Sequence, residues 1–188
     1  LQRASFLPCI APIKRGCEVV ELLSGQDYRL RTLSHAATYL TPNDEASRKL
    51  LGQQFSLLSG ETPAPDSIEI NGRPIPAVAL SSGVAWFTFS ALCEGPRSAA
   101  DYIEIARDFH TVLISDVPRF DGGNEDAARR FVYLIDELYD RHVNVLLSAE
   151  ADAFSLYGGH RLQREFERTS SRLAEMQSKD YLALEHRP

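Results

Sequence analysis

Four arginines, Arg161, Arg164, Arg168 and Arg172, fall at spacings of three, four and four in GGHRLQREFERTSSRLAEM. Those steps stack side chains on one helical face. A row of guanidiniums has two uses. It can grip an anion, because the planar fork stays ionised and donates several hydrogen bonds to phosphate or carboxylate oxygens. It can also lie in water, exchanging ion pairs with Glu165 and Glu167, which are interleaved with it. On the residues alone the solvated face is the favoured reading.

Two acids offer a second chemistry. The apolar run HTVLISD ends on Ser115-Asp116, and VNVLLSAE ends on Ser148-Ala149-Glu150. Such runs read as strands buried in a parallel sheet, and ligands of parallel sheets bind beyond the carboxyl ends of the strands. Asp116 resembles the acid that ends a Walker B strand and helps hold magnesium. The competing reading makes Asp116 and Glu150 caps of strand-to-helix loops, the commoner use of such residues.

A nucleotide site also needs a cradle in which glycines let backbone N–H groups approach the phosphates. The chain contains no GxxxxGK[ST] and no glycine followed by lysine. The pairs Gly122-Gly123 and Gly158-Gly159 read as loop hinges. His35, His110, His142, His160 and His186 form no HExxH or short ligand cluster, so no metal site is expected. Ser98, Ser115 and Ser148 lack a GxSxG elbow, which leaves a hydrolase triad without support. Cys9, Cys17 and Cys93 have no CxxC spacing and are expected as free thiols in a reducing compartment.

The elements that position these residues divide into three stretches. In residues 1–65, FLPCIAPI precedes VVELL and DYRLR, which read as a hairpin across Ser24-Gly25-Gln26. A helix follows, with Thr41 as cap, Pro42 in the first turn, Asp44 near the N-terminus, and Leu51, Phe55 and Leu58 at helical spacing. Residues 66–95 are β-rich: Asn71-Gly72 marks a hairpin, and Pro74 and Pro76 push the next strand to an edge. Residues 96–188 alternate α-β-α-β-α. Ser98 and Asp101 form an approximate capping box for the first helix. Ala127, Phe131, Leu134 and Leu138 line one face of the second, and Phe166, Leu173 and Met176 line the third. The fold class is therefore α/β, with a parallel β-α-β unit and an antiparallel segment.

A chain of 188 residues with 44% hydrophobic and 24% charged residues can bury a core. Its net charge of −6 argues against a broad nucleic-acid or anionic-membrane surface. No apolar run approaches the ~20 residues that span a bilayer. The chain opens at Leu1 and its one methionine is Met176, so it reads as the interior of a longer protein.

Three long strings, PRSAADYIEIARDFHTVLISDVP, DAARRFVYLIDELYDRHVNVLLSAE and LYGGHRLQREFERTSSRLAEMQS, together with the opening LQRASFLPCI, resemble the C-terminal half of the ZapE/AFG-like P-loop ATPases. The resemblance covers essentially the whole chain. It implies a P-loop NTPase-like fold similar to AAA+ proteins, whose Walker motifs and sensor precede the region seen here. It implies an ATP-hydrolysing protein-remodelling enzyme that uses ATP and Mg as a cytoplasmic homo-oligomer, with a protein substrate or a cell-division partner. None of the Walker residues can be carried over, so this chain alone is expected to be inactive and to bind no cofactor tightly. Arg172, in RTSSRLAEM, is similar to a sensor-two-like arginine facing the phosphates, and Arg3 to an arginine acting across a subunit boundary. Arg161 and Arg164 stay with the surface reading. The alternative function is a non-catalytic interaction module, exposing Trp86, Phe87 and Phe89 from the β-rich stretch, although alternation in AWFTF puts Phe87 and Phe89 on one face and core packing is at least as good a reading.

Overall fold

A computed structural model describes Leu33 and residues 37–188. Its centre is a five-stranded sheet built from β1 (Tyr39–Leu40), β4 (Ala79–Ser81), β5 (Val84–Thr88), β6 (Thr111–Val117) and β7 (Asn144–Ala149). The spatial order is β1-β7-β6-β5-β4. The first four in that order run parallel, and β4 joins antiparallel at the β5 edge. The strands β2 (Asp66–Ile70) and β3 (Arg73–Ala77) form a separate antiparallel pair. The α/β class, with its parallel unit and its antiparallel segment, is thus the observed one. The main sheet draws strands from all three stretches distinguished in the sequence.

The helices sort by which sheet face they cover. Alternation along the strands sends Trp86, Leu113 and Leu146 to one face, where Leu51 and Phe55 of α1 (Glu45–Ser59) meet them. Phe87, Val112, Ile114, Val145 and Leu147 point the other way. That face is covered by α2 (Ala99–Asp108), α3 (Glu125–Asp140) and α4 (Gln163–Glu175). Phe89, Phe120, Phe131 and Phe166 form an aromatic knot there, with ring centroids of the contacting pairs 5.2–6.5 Å apart. A short π-helical turn (Ser90–Glu94) and a C-terminal turn α5 (Lys179–Leu182) complete the described residues.

Several local expectations hold. Asn71 and Gly72 both adopt positive φ, 52° and 71°, as a tight two-residue hairpin turn requires. Asp101 accepts the Ser98 N–H at 2.8 Å, one arm of the expected capping box. Two expectations are corrected. The cap of α1 is Asp44, not Thr41, and Pro42 precedes the helix instead of entering it. The Asp44 carboxylate accepts the Ser47 N–H at 2.8 Å, a bond Thr41 lies too far upstream to make. Trp86, Phe87 and Phe89 are buried, not exposed: Trp86 and Phe87 lie on β5, which has sheet neighbours on both sides, and Phe89 packs against Phe120 and Phe131. The expected VVELL–DYRLR hairpin, FLPCIAPI, Arg3, Cys9 and Cys17 lie outside the described residues. Cys93 is buried and free.

One carboxylate holds the β2–β3 pair to the body. Asp101 is fully buried on α2 and accepts both Arg73 (2.6 and 2.7 Å) and Asn71 (3.1 Å) from the hairpin. Arg73 also donates to the Pro96 carbonyl. Burial pushes the Asp101 carboxyl up, but hydrogen bonds from Asn71, Ser98 and Arg73, with the Arg73 charge, outweigh it and leave the net value below the ordinary one. A depressed carboxylate stabilises the fold above its unfolded-state pKa, and that contribution is lost as pH falls through the folded value. We therefore expect Asp101→Ala to cost about 2–4 kcal/mol at neutral pH. Acid unfolding of the wild type should include a step below about pH 4 that the variant lacks, followed by circular dichroism across a pH series.

Candidate functional site

The carboxyl ends of β1, β6 and β7 converge on one polar cluster. The register between β6 and β7 slips between Ile114 and Val117, so β6 carries an extra residue there. Asp116 sits in that bulge at φ 66°, a conformation uncommon outside glycine. The bulge frees its N–H from the ladder to donate to the Ser148 hydroxyl on β7 at 3.2 Å. Ser148, fully buried, donates in turn to the Asn43 side-chain oxygen at 2.8 Å. Asn43, in the turn after β1, closes the ring by donating its amide to the Asp116 carboxylate at 3.3 Å. Arg48 on α1 reaches the same carboxylate oxygen at 2.7 Å.

Glu150 turns elsewhere. Its carboxylate accepts the Arg119 N–H at 2.8 Å, and its own N–H donates to the Val117 carbonyl at 3.0 Å, so it fastens the loop after β6. Tyr39 pins β1 to the loop after β7 by donating to the Ala151 carbonyl at 2.7 Å. Burial, and after it the nearby Asp152, push the Tyr39 hydroxyl well above its ordinary range, so it stays a donor.

Arg168 and Arg172 of the ladder do not face this cluster. Helix α3 leaves the carboxyl end of β6 and returns the chain to the start of β7, and Arg172 meets its last turns. Arg172 donates to Asp136 at 2.5 Å and to Asp140 at 3.4 Å, with its guanidinium 4.6 Å from the Tyr139 ring centre. Arg168 shares Asp136 at 2.5 Å. These pairs place Arg172 towards the amino ends of the strands, away from Asp116 and Glu150. Arg161 and Arg164 border a shallow surface depression with His160, Glu165 and Glu167.

Gly158-Gly159 is a close packing, whereas Gly122 turns the loop before α3 at φ 97°. Gly158 donates to the Phe120 carbonyl, and a Cβ on Gly159 would lie 2.5 Å from the Tyr157 hydroxyl. A cleft of about 540 Å³ opens at the start of α3, lined by Gly122, Gly123, Arg130 and Arg161. Glu94, Glu125 and Asp126 line it as well, so its acids outnumber its two arginines. No group of His, Cys, Asp or Glu suited to a metal ion occurs among the described residues.

Asp116 and Glu150 stand at the tips of their strands, as their apolar runs suggest, but the sequence does not show Asn43 and Arg48 as partners of Asp116, since no motif joins residues 73 and 68 positions apart. Asp136 is hidden for the same reason. Because Arg172 is only 21% exposed and bridges two helices, Arg172→Ala should cost about 1–2 kcal/mol. Arg164→Ala should stay within about 0.5 kcal/mol. Urea denaturation of both variants checks the pair.

The model of the AFG1-like ATPase family matches residues 1–185. Over 187 residues the chain is 43% identical to the cell division protein ZapE of Escherichia coli K12, covering 99% of this chain and 50% of that protein. It is 39% identical over 160 residues to an uncharacterized protein of Schizosaccharomyces pombe, covering 84% of this chain and 35% of that one. Lactation elevated protein 1 homolog B of Danio rerio is 32% identical over 217 residues, covering 96% of this chain and 43% of that protein. The chain spans about half the length of the first of these relatives, or less of the others. No solved structure matches it. No helix among the described residues is long and apolar enough to cross a membrane. A match across nearly every residue settles the kinship: the chain belongs to the AFG1-like ATPase family.

Proposed function

We propose that these 188 residues are one part of an ATP-hydrolysing, protein-remodelling enzyme whose phosphate cradle lies outside them. The observation that carries this reading is the family match over residues 1–185 in a chain with no GxxxxGK[ST]. ATP with Mg does not fit the described residues. The turn Thr41–Asp44 between β1 and α1 has no glycine, Pro42 has no N–H, and Asp116 is already paired with Arg48. No catalytic step is assigned to the strand-tip acids.

By analogy with the cell division protein ZapE, the proposed setting is cytoplasmic, with a protein substrate or a cell-division partner and a homo-oligomeric enzyme. Within it, Arg3 is the candidate arginine acting across a subunit boundary. Arg172 would have to leave Asp136 before it could face a phosphate, and we assign it to the α3–α4 contact.

Purified 188-residue chain with ATP and magnesium should release no phosphate above the blank. A longer protein containing it should hydrolyse ATP, typically at about 1–1000 turnovers per second for enzymes at large. Robust turnover by the 188-residue chain, or none by the longer protein, would overturn the reading.

A further inference from the structure

The strand order carries more than the class of fold. In the chain β1 comes first, then β5, β6 and β7, yet in the sheet β1 lies beside β7. Helix α1 leaves β1 onto one face, while α2, α3 and α4 cover the other. The connections therefore diverge between β1 and β7, and such a switch point is where open α/β sheets receive ligands. The layout around it matches a nucleotide-binding core of the P-loop type. A strand, turn and helix (β1, Thr41–Asp44, α1) stand where a cradle would be. An acid, Asp116, stands one residue before the end of the second strand over, and a polar residue, Ser148, one before the end of the strand between.

Several polar groups in this layout that would face a ligand are instead engaged by the chain itself. Arg48 brings to Asp116 the positive charge that a divalent cation would bring. Asn43 takes up the Ser148 hydroxyl. At the start of α1, the Asp44 carboxylate accepts the Ser47 N–H, and the Asp44 N–H donates to the Pro42 carbonyl at 3.1 Å. Those N–H groups are the donors that would otherwise bind phosphate. The turn has no glycine to form a nest of further donors.

We infer that the crevice at the ends of β1, β7 and β6 is a nucleotide-type site closed from within by Arg48 and Asn43. This part of the protein thereby holds a second core of P-loop layout that takes no nucleotide and serves as a fixed body. The inference goes beyond the proposed ATPase activity and does not require it, since it concerns binding to the 188-residue chain alone.

The test uses that chain as wild type, Arg48→Ala, Asp116→Asn and the double variant. Each is titrated with manganese, read by electron paramagnetic resonance, and with magnesium-ATP, read by calorimetry, and each is melted. Wild type should show no saturable binding of either probe. Each single variant should melt about 1–4 °C lower, and the double variant no lower than the worse single, because both remove one pair. Saturable magnesium-ATP binding to wild type that Arg48→Ala weakens would overturn the inference, making Arg48 a ligand contact. Additive melting losses would overturn it too, by showing that the pair does not close the site. Should a variant fail to fold, the wild-type titrations still decide. Binding without turnover would sink the closed site while leaving the proposed ATPase intact.

Discussion

A strand buried on both faces can satisfy its backbone only through its neighbours and its ends, and β6 and β7 are buried along nearly their whole length. That constraint organises the rest. It demands helices on both faces, hence α1 on one side and α2 to α4 on the other. It also concentrates the polar requirements of the sheet at the strand tips. There the ring through Asp116, Ser148 and Asn43 answers them, at the cost of one bulged residue held at positive φ.

The chain is acidic, and several of its described arginines tie elements together. Arg48 joins α1 to β6, Arg73 joins β3 to α2, and Arg172 joins α4 to α3. Arg130 reaches from α3 to the Cys93 carbonyl in the π-helical turn at 2.9 Å. A planar guanidinium suits this work because it bonds two partners from one side chain without losing its charge. The ladder that looks like a solvated stripe in the sequence therefore divides: Arg168 and Arg172 reach across to a neighbouring helix, while Arg161 and Arg164 border open surface.

What the sequence reveals depends on the span of the interaction. The buried runs of β6 and β7, the Asn71-Gly72 turn and the Ser98–Asp101 cap are all written within a few residues, and each can be read directly. β1 cannot, because it is two residues long and exists only through its pairing with β7, more than a hundred positions away. The partners of Asp116 are hidden for the same reason. Trp86, Phe87 and Phe89 mislead differently: alternation shows which residues share a face, but not that both faces of β5 are covered.

Both outer strands of the main sheet are very short, β1 with two residues and β4 with three, whereas the interior strands have five to seven. Within the main sheet, then, the longest rows of apolar side chains and backbone donors lie inside. A foreign strand arriving at either margin finds too few groups to template growth. The hazard rests with partly folded chains, in which β6 or β7 is bare before its helices have docked.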